Sequence, residues 1–385
     1  MYNLHTLNQI SPTGLSQLGD GFTLDPQLPP DGLLVRSASL HDMEFPSGLL
    51  AVARAGAGVN NIPLERCSAQ GIVVFNTPGA NANAVKELVL GGLVLAGRRV
   101  AQGAAWVKAN ASRPDLSKLV EKSKSSFAGP ELAGKTLGVI GLGAIGAKVA
   151  NLAAALGMQV LGYDPYLSVD AAWGLDRTVR HALTLEEIYS QSDFITLHLP
   201  VCASTRGMID AKALSAMKPG VRLLNFARGK LVCEDALLDA LSRGAVACYV
   251  CDFPSPALLA CDACVCLPHL GASTPESEDS CAAMAAQQLR DYLLDGTIRN
   301  SVNFPDASLP RSGQGSRICV VHRNIPGMLA RITDAASSAR LNIENMVNKS
   351  RGDHAYTILD AGSAADDSVR LALQALDGVL RVRLI

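Results

Sequence analysis

The chain has 385 residues, of which 48% are apolar and 18% charged, and its formal net charge is −1. This balance supplies core material for two or three domains. A net charge near zero gives no electrostatic footprint for nucleic acid or an anionic membrane. No apolar run reaches the roughly 18 residues of a membrane-spanning helix. The first residues lack both the basic and the apolar part of a secretory signal, so we expect a cytoplasmic protein without membrane or nucleic-acid partners.

Short apolar strands alternate with polar turns from position 1 to position 80, which is typical of a parallel α/β sheet. Two turns that follow strands carry ligand-type groups. Arg36 and Ser37 offer a guanidinium and a hydroxyl, which suit an anion. Further on, backbone N–H groups near Gly58 and the Asn60 amide can bind a ligand at the carboxyl end of a strand. Each turn can equally be a surface loop.

The middle of the chain opens with a long, mostly apolar segment, residues 82–108, which predicts a helix packed between domains or subunits. Residues 110–130 are polar and rich in Ser and Lys, which indicates a surface segment. The glycine-rich stretch that follows is the most informative part of the sequence.

The run GLGAIG, from Gly141 to Gly146, lies between a predicted strand at 136–140 and a helix that continues to about residue 156. A second strand then leads to Asp164, at the distance from the first glycine that the dinucleotide-binding fingerprint requires. In that fingerprint the glycines allow a tight turn, close approach of a pyrophosphate and tight packing of helix on strand. An acid at Asp164 accepts from a ribose 2′-hydroxyl, which favours NAD over NADP. A glycine-rich turn without a ligand is the alternative.

Three polar side chains follow three further predicted strands: Arg228, Asp252 and His269. The carboxyl ends of parallel strands share one rim of the sheet, so together they predict a site. Histidine suits proton removal from an alcohol, and arginine binds a carboxylate through two parallel hydrogen bonds. Beside a nicotinamide, this pair indicates oxidation of a 2-hydroxy acid.

The ten cysteines include two Cys-x-x-Cys pairs, at 248/251 and 261/264, which imitate a zinc ribbon. Cysteines three apart on a strand point to opposite faces, so we expect reduced, buried thiols and no metal. A Pro-, Gly- and Ser-rich segment, residues 301–316, predicts a linker. The chain beyond this segment predicts a βαββαβ unit for binding or assembly, since it contains no cluster suited to chemistry.

The sequence resembles the D-isomer-specific 2-hydroxyacid dehydrogenase family over nearly its whole length, and its C-terminal part, with HRNIPGMLARI near its start, resembles an ACT domain. The matching segments are ARAGAGVNNI, NTPGANANAVKELV, GLGAIG, LHLPVCASTRGMI, LNFARGKLV and PHLGAST. The resemblance implies an α/β fold with a flavodoxin-like substrate domain, a Rossmann NAD-binding domain and a ferredoxin-like ACT domain. The implied boundaries are 1–94 with 280–302, 95–279, a linker at 303–315, and 316–385.

The resemblance also implies NAD-dependent oxidation of 3-phospho-D-glycerate to 3-phosphohydroxypyruvate, the first step of L-serine biosynthesis, in a homodimer or homotetramer. The implied catalytic residues are Arg228, His269 and Asp252. The implied NAD-binding residues are Gly141, Gly143, Ala144, Ile145, Gly146, Asp164, Phe226, Ala227, Arg228, Asp252, His269, Leu270, Gly271 and Ala272. The implied substrate-binding residues are Arg36, Ser37, Ala57, Gly58 and Asn60, and the implied L-serine-binding residues are His322, Asn324 and Asn342.

One position departs from the family pattern. Where the family has a glutamate that pairs with the catalytic histidine, this chain has Ser255 in a shortened segment. We predict that Asp252 supports His269, with Glu276 as the alternative. For the function, the alternatives are another D-2-hydroxyacid dehydrogenase, such as a glyoxylate or hydroxypyruvate reductase, and a dinucleotide-sensing binding protein. For the ACT domain, the alternative to serine binding is a structural role in oligomerisation.

Overall fold

The computed structural model describes residues 1–311 and 315–385, so residues 312–314 of the predicted linker lie outside the described residues. Within them the chain forms two compact units, Met1–Asn81 with Pro275–Ile385, and Ala82–Thr274. The amino-terminal elements are β1 (Tyr2–Leu7), α1 (Pro12–Leu15), β2 (Phe22–Thr23), β3 (Gly32–Val35), β4 (Ala51–Arg54), α2 (Leu64–Ala69) and β5 (Val73–Phe75).

The second unit contains the middle of the chain. Its helices and strands in order are α3 (Ala82–Gly97), α4 (Val100–Ala109), α5 (Leu116–Ser123), β6 (Thr136–Ile140), α6 (Ala144–Ala155), β7 (Gln159–Tyr163), α7 (Val169–Trp173), β8 (Arg180–His181), α8 (Leu185–Gln191), β9 (Phe194–Leu197), α9 (Ala211–Ala216), β10 (Val221–Asn225), α10 (Glu234–Ser242), β11 (Val246–Cys251), α11 (Pro256–Leu259) and β12 (Cys264–Cys266).

The chain then returns to the first unit. The remaining elements are α12 (Pro275–Asp295), β13 (Arg317–Arg323), α13 (Met328–Ser338), β14 (Ile343–Arg351), β15 (His354–Ala361), α14 (Asp367–Gln374) and β16 (Val379–Leu384). No helix of the described chain combines the length and the apolarity needed to cross a membrane.

Three sheets organise these elements. The first unit has a parallel sheet in the order β2-β1-β3-β4-β5 and an antiparallel sheet in the order β14-β15-β13-β16. The second unit has a seven-stranded parallel sheet in the order β12-β11-β10-β9-β6-β7-β8. This is a Rossmann-type α/β fold with a separate antiparallel sheet, and the Rossmann prediction is confirmed. The C-terminal elements follow the predicted βαββαβ order.

The division at residues 81 and 274 lies earlier than the implied boundaries at 94 and 279. Helix α3 packs with the Rossmann sheet, because its apolar side chains Val85, Val89 and Leu93 share a core with Val139 and Val250. Helix α12 belongs to the first unit, where it is buried against the parallel sheet.

The beginning of the predicted linker is packed rather than free. Phe304 is fully buried, and the Asn303 amide donates to Ile72 O at 2.9 Å. The Pro- and Ser-rich composition predicted a linker here, whereas Asn303 and Phe304 pack into the first unit.

Candidate active site

The glycine loop between β6 and α6 has no room for side chains at two of its three glycines. Gly141 has a φ of +92°, and a Cβ there would lie 2.6 Å from the carbonyl oxygen of His198. A Cβ on Gly146 would lie 1.8 Å from the carbonyl oxygen of Gly141. These glycines are therefore required by the fold itself, which allows the tight turn and the close packing of α6.

Gly143 is different, because a Cβ there would meet no atom within 4 Å. It is the N-cap of α6, and no side chain caps the helix. Ala144 and Ile145 follow in the first turn, so their N–H groups and the positive end of the helix dipole face this open space. The cradle fits a pyrophosphate, which would satisfy these donors.

Asp164 is held beside the loop at the end of β7. Its Oδ2 accepts from Leu142 N at 2.9 Å, and its Oδ1 accepts from Tyr166 N at 2.9 Å. Each carboxylate oxygen retains a further lone pair. The partly buried carboxylate is thus fixed where it can accept from a ribose hydroxyl.

Arg228 follows β10 and is exposed, with Nη1 donating to Ala227 O at 2.7 Å. Its turn is built on Asn225, a fully buried side chain. Asn225 Oδ1 accepts from the backbone N–H groups of Ala227 and Arg228, both at 3.2 Å, and Nδ2 donates to Arg228 O at 3.0 Å. Phe226 is buried between this turn and Gly92 of α3. Asn225 was not predicted as a site residue, although an asparagine that ends a buried strand is a recognisable turn signal.

Asp252 follows β11 and is 1% exposed. Its two oxygens accept from Leu270 N at 2.9 Å and from Gly271 N at 2.7 Å. The carboxylate therefore holds the loop that carries His269. A Cβ on Gly271 would lie 3.2 Å from Asp252 Oδ2, so glycine permits this close approach.

His269 is exposed and has a φ of +58°, in the left-handed region. Such a conformation at a non-glycine residue is strained and is kept only where the surroundings impose it, here through the two amides held by Asp252. The imidazole packs against the Phe253 ring, with 5.2 Å between centroids. Leu270 is 42% exposed, and Ala272 is partly buried.

The structure places no carboxylate on the imidazole of His269 within the described part of its unit. Both oxygens of Asp252 are used on the loop backbone. Ser255 caps α11, accepting from Leu258 N at 3.2 Å. Glu276 belongs to α12, in the other unit. The structure thus brings Arg228, Asp252 and His269 to one rim, while the acid partner of His269 stays a prediction.

His198, at the end of β9 beside the glycine loop, was not predicted as a site residue. Its Nε2 lies 3.0 Å from Thr196 Oγ1, and desolvation lowers its pKa to about 3. The imidazole is therefore neutral at ordinary pH. The His198 carbonyl oxygen is the atom that a Cβ on Gly141 would meet.

The predicted substrate turns lie in the first unit, at the ends of β3 and β4. Arg36 Nη2 donates to Glu278 Oε1 at 2.6 Å, and Arg36 O accepts from Arg54 Nε at 3.0 Å. Ser37 and Asn60 are exposed, and Gly58 is partly buried. Ala57 is also partly buried, and its carbonyl accepts from Asn76 Nδ2 at 2.7 Å. The ends of neighbouring parallel strands thus present Arg36 and Asn60 on one rim of the first sheet.

The cysteines are free thiols. Cys251 and Cys266 are register partners on β11 and β12, with 3.8 Å between their sulfurs. Burial raises the pKa of Cys266 to about 12 and that of Cys248 to about 11. Among the described residues, no group of three or more His, Cys, Asp or Glu side chains is arranged to bind a metal ion.

The predicted effector residues do not converge within one chain. His322, at the carboxyl end of β13, is 2% exposed, and its ring nitrogens lie 2.8 Å from Arg323 O and 2.9 Å from Thr357 Oγ1. Desolvation lowers its pKa. Asn324 Nδ2 donates to Gly352 O at 3.1 Å at the same end of the sheet. Asn342 precedes β14 at the opposite end, where Ile343 pairs with Ala361.

Comparison with known proteins identifies the class. Residues 90–271 match the model of the D-isomer specific 2-hydroxyacid dehydrogenase NAD binding domain. The chain is 31% identical over 362 residues to a putative D-3-phosphoglycerate dehydrogenase of Schizosaccharomyces pombe, covering 88% of this chain and 74% of that relative. It belongs to the D-isomer specific 2-hydroxyacid dehydrogenase family, and its Rossmann unit is an NAD-binding domain, as the sequence predicts.

Two further matches extend this comparison. The chain is 36% identical over 287 residues to a D-3-phosphoglycerate dehydrogenase of Synechocystis sp., where the match covers 71% of this chain and 49% of the relative. It thus spans about half the length of that curated relative. Its fold is similar to the crystal structure of a glyoxylate reductase from Paecilomyes thermophila, with a TM-score of 0.65, 25% identity, and coverage of 78% of this chain and 98% of that one.

Proposed function

We propose that the protein is an NAD-dependent dehydrogenase that oxidises 3-phospho-D-glycerate to 3-phosphohydroxypyruvate, the first step of L-serine biosynthesis. The observation that carries the proposal is the single rim that holds the glycine cradle at Gly143, the Arg228 turn and the His269 loop. Relatives named D-3-phosphoglycerate dehydrogenase support the choice of substrate.

Each polar side chain at the carboxyl ends of the Rossmann strands has its own role in the proposed reaction. Bound NAD supplies the hydride acceptor. Arg228 stays charged and would hold the substrate carboxylate. The imidazole of His269 removes the hydroxyl proton. Asp252 positions His269 through the loop amides, and Phe226, Ala227, Leu270, Gly271 and Ala272 line the cofactor.

The first unit supplies the substrate-binding groups in this proposal. Ala57, Gly58 and Asn60 hold the carboxylate end, and Arg36 with Ser37 hold the phosphate through charge-assisted hydrogen bonds. A reductase of glyoxylate or hydroxypyruvate is the second candidate, favoured by the similarity to the glyoxylate reductase structure. An unphosphorylated substrate needs no cation at Arg36, which separates the two candidates. A dinucleotide-sensing binding protein would show no turnover at all.

The antiparallel sheet is proposed to be an ACT domain, residues 316–385, after a linker at 303–315, that binds L-serine between two copies of the chain. His322 and Asn324 lie at one end of the sheet and Asn342 at the other, so one pocket containing all three requires a second chain. Strand β14 is an edge strand with exposed residues, including Met346 at 44% exposure, and can pair with its copy. This supports a homodimer or homotetramer.

The test of the activity is the appearance of NADH with 3-phosphoglycerate, with D-glycerate and D-lactate as controls. We expect turnover of 3-phosphoglycerate alone at low substrate concentration, and Arg36→Met should raise KM for that substrate only. Equal rates with all three substrates would contradict the phosphate site and favour the second candidate.

Calorimetry with L-serine on the wild type and on Asn324→Ala tests the effector proposal. Binding by the wild type that is weakened in the variant supports it. Absence of binding to the wild type would leave the sheet an assembly role only.

A further inference from the structure

Arg36, the cation proposed to hold the substrate phosphate, has an acidic partner in its own unit. The ion pair between Arg36 Nη2 and Glu278 Oε1 is 2.6 Å long, and the two side chains are 41% and 43% exposed. Glu278 lies in the first turn of α12. Glu278 was not predicted as a site residue, because 242 positions separate it from Arg36 in the sequence.

The two backbone N–H groups that follow Arg36 already have an acceptor. Asn8 Oδ1 accepts from Ser37 N at 3.0 Å and from Ala38 N at 2.7 Å. Asn8 itself has a φ of +75°, so the turn is fixed by a residue in the left-handed region. The Arg36 guanidinium and the Ser37 hydroxyl are therefore the groups of this turn that we propose for an anion. Glu278 competes for the same guanidinium.

We propose that Glu278 sets the affinity of the substrate site for the phosphate, as an internal carboxylate that the substrate must displace from Arg36 and that raises KM for the phosphorylated substrate. The inference rests on the proposed function. A phosphate ester has more charge than one carboxylate and offers three acceptor oxygens, so it replaces the single Glu278 contact with stronger ones. An exposed ion pair is easily broken. The neutral terminal hydroxyl of D-glycerate has no charge with which to displace Glu278, so its binding leaves the ion pair intact and does not depend on Glu278.

The test is steady-state kinetics of Glu278→Gln with 3-phosphoglycerate and with D-glycerate. Removing the carboxylate frees Arg36 and removes a negative charge beside the phosphate. We expect KM for 3-phosphoglycerate to fall roughly three- to tenfold, kcat to stay unchanged, and KM for D-glycerate to stay unchanged. Because salt screens exposed charges, the difference from wild type should shrink at about 0.5 M NaCl.

Asp279→Asn is the matched control, since it makes the same charge change one residue further along the same helix. Asp279 accepts a hydrogen bond from Ser11 and not from Arg36. This variant should keep the wild-type KM for 3-phosphoglycerate. An equal fall in both variants would show a general effect of charge and overturn the specific role of Glu278.

Two further outcomes distinguish failure of this inference from failure of the proposed function. A KM for 3-phosphoglycerate that is unchanged or raised in Glu278→Gln, with an active wild type, overturns the inference alone. A wild type that does not oxidise 3-phosphoglycerate overturns the proposed function, and with it the displacement by this substrate.

Discussion

Asp252 is the buried carboxylate on which the His269 loop depends. Asparagine at this position could accept from only one of the two loop amides and would turn an N–H group towards the other. A buried donor without a partner costs about 1–3 kcal/mol, and about 1.4 kcal/mol is a factor of ten in rate. We therefore expect Asp252→Asn to lower kcat/KM roughly tenfold or more, measured as NADH formation from 3-phosphoglycerate.

The pH profile of the same variant distinguishes two roles for Asp252. If the carboxylate acts through the loop backbone, the apparent pKa of the group that limits oxidation stays where it is in the wild type. If it pairs with the imidazole, its removal lowers that pKa. The structure favours the first result, since both oxygens contact backbone N–H groups. Ser255→Ala, which removes only a helix cap, should alter neither rate nor profile.

His198 gives a pH dependence of stability. Its pKa is about 3 in the folded chain because of desolvation, against about 6.5 when unfolded. Between these values the unfolded chain binds a proton that the folded chain does not, so stability falls as the pH drops below about 6.5, by at most about 1.4 kcal/mol per unit. His198→Gln should lose less stability between pH 7 and pH 5 than wild type in urea unfolding. Parallel losses would contradict this assignment.

At the scale of the elements, two glycines of the loop between β6 and α6 have different roles. The fold requires Gly146, whereas we expect ligand binding to require Gly143. Gly146→Ala places a Cβ 1.8 Å from a backbone oxygen, whereas Gly143→Ala meets nothing within 4 Å in the free chain. We expect Gly143→Ala to melt close to wild type yet bind NADH at least tenfold more weakly, because its methyl group occupies the pyrophosphate cradle. Gly146→Ala should melt well below wild type. Thermal melts and NADH fluorescence titrations check both, and unchanged NADH affinity in Gly143→Ala would contradict the cradle.

Elements with local sequence signals were predictable. The strand β6 and the helix α6 lie where the apolar pattern around the glycine run placed them. Strand β1 was not recognised because it contains the polar residue Asn3. This side chain is buried, and its amide donates to Asp25 O and Leu28 O. The partners of Asp252 and the pairing of Arg36 with Glu278 could not be predicted, because only the folded chain brings these positions together.

At the scale of the whole molecule, the antiparallel sheet and the parallel sheet of the first unit share one apolar core. Cys319, Val321 and Tyr356 of the antiparallel sheet pack in the same cluster as Leu289 and Phe75. A hydrogen bond also joins the antiparallel sheet to the segment after α12, because Tyr356 Oη donates to Gly296 O at 2.7 Å. The C-terminal residues are therefore part of the stability of the first unit and not an independent attachment.

The carboxyl end of α12 is capped by arginines from the antiparallel sheet. Arg317 is paired with Asp360 in a buried, two-bond contact and donates to Asp295 O at 2.9 Å. Arg383 is 7% exposed and donates to Tyr292 O at 2.9 Å and to Leu293 O at 2.7 Å, with its guanidinium over the Tyr292 ring. The last carbonyl oxygens of a helix have no donors within the helix, so these arginines donate hydrogen bonds to them.

Arg383→Met preserves much of the side-chain volume but removes the arginine donors from Leu293 O and from Tyr292 O, of which Tyr292 O still accepts from Gly296 N. We therefore expect a loss of about 1–3 kcal/mol in the free energy of unfolding. Arg370→Met, which removes an exposed pair with Asp367 on α14, should leave the melting temperature unchanged. Because the two sheets share one core, hydrogen exchange of β4 and β13 should accelerate together in Arg383→Met. Faster exchange in β13 alone would show that the antiparallel sheet unfolds independently.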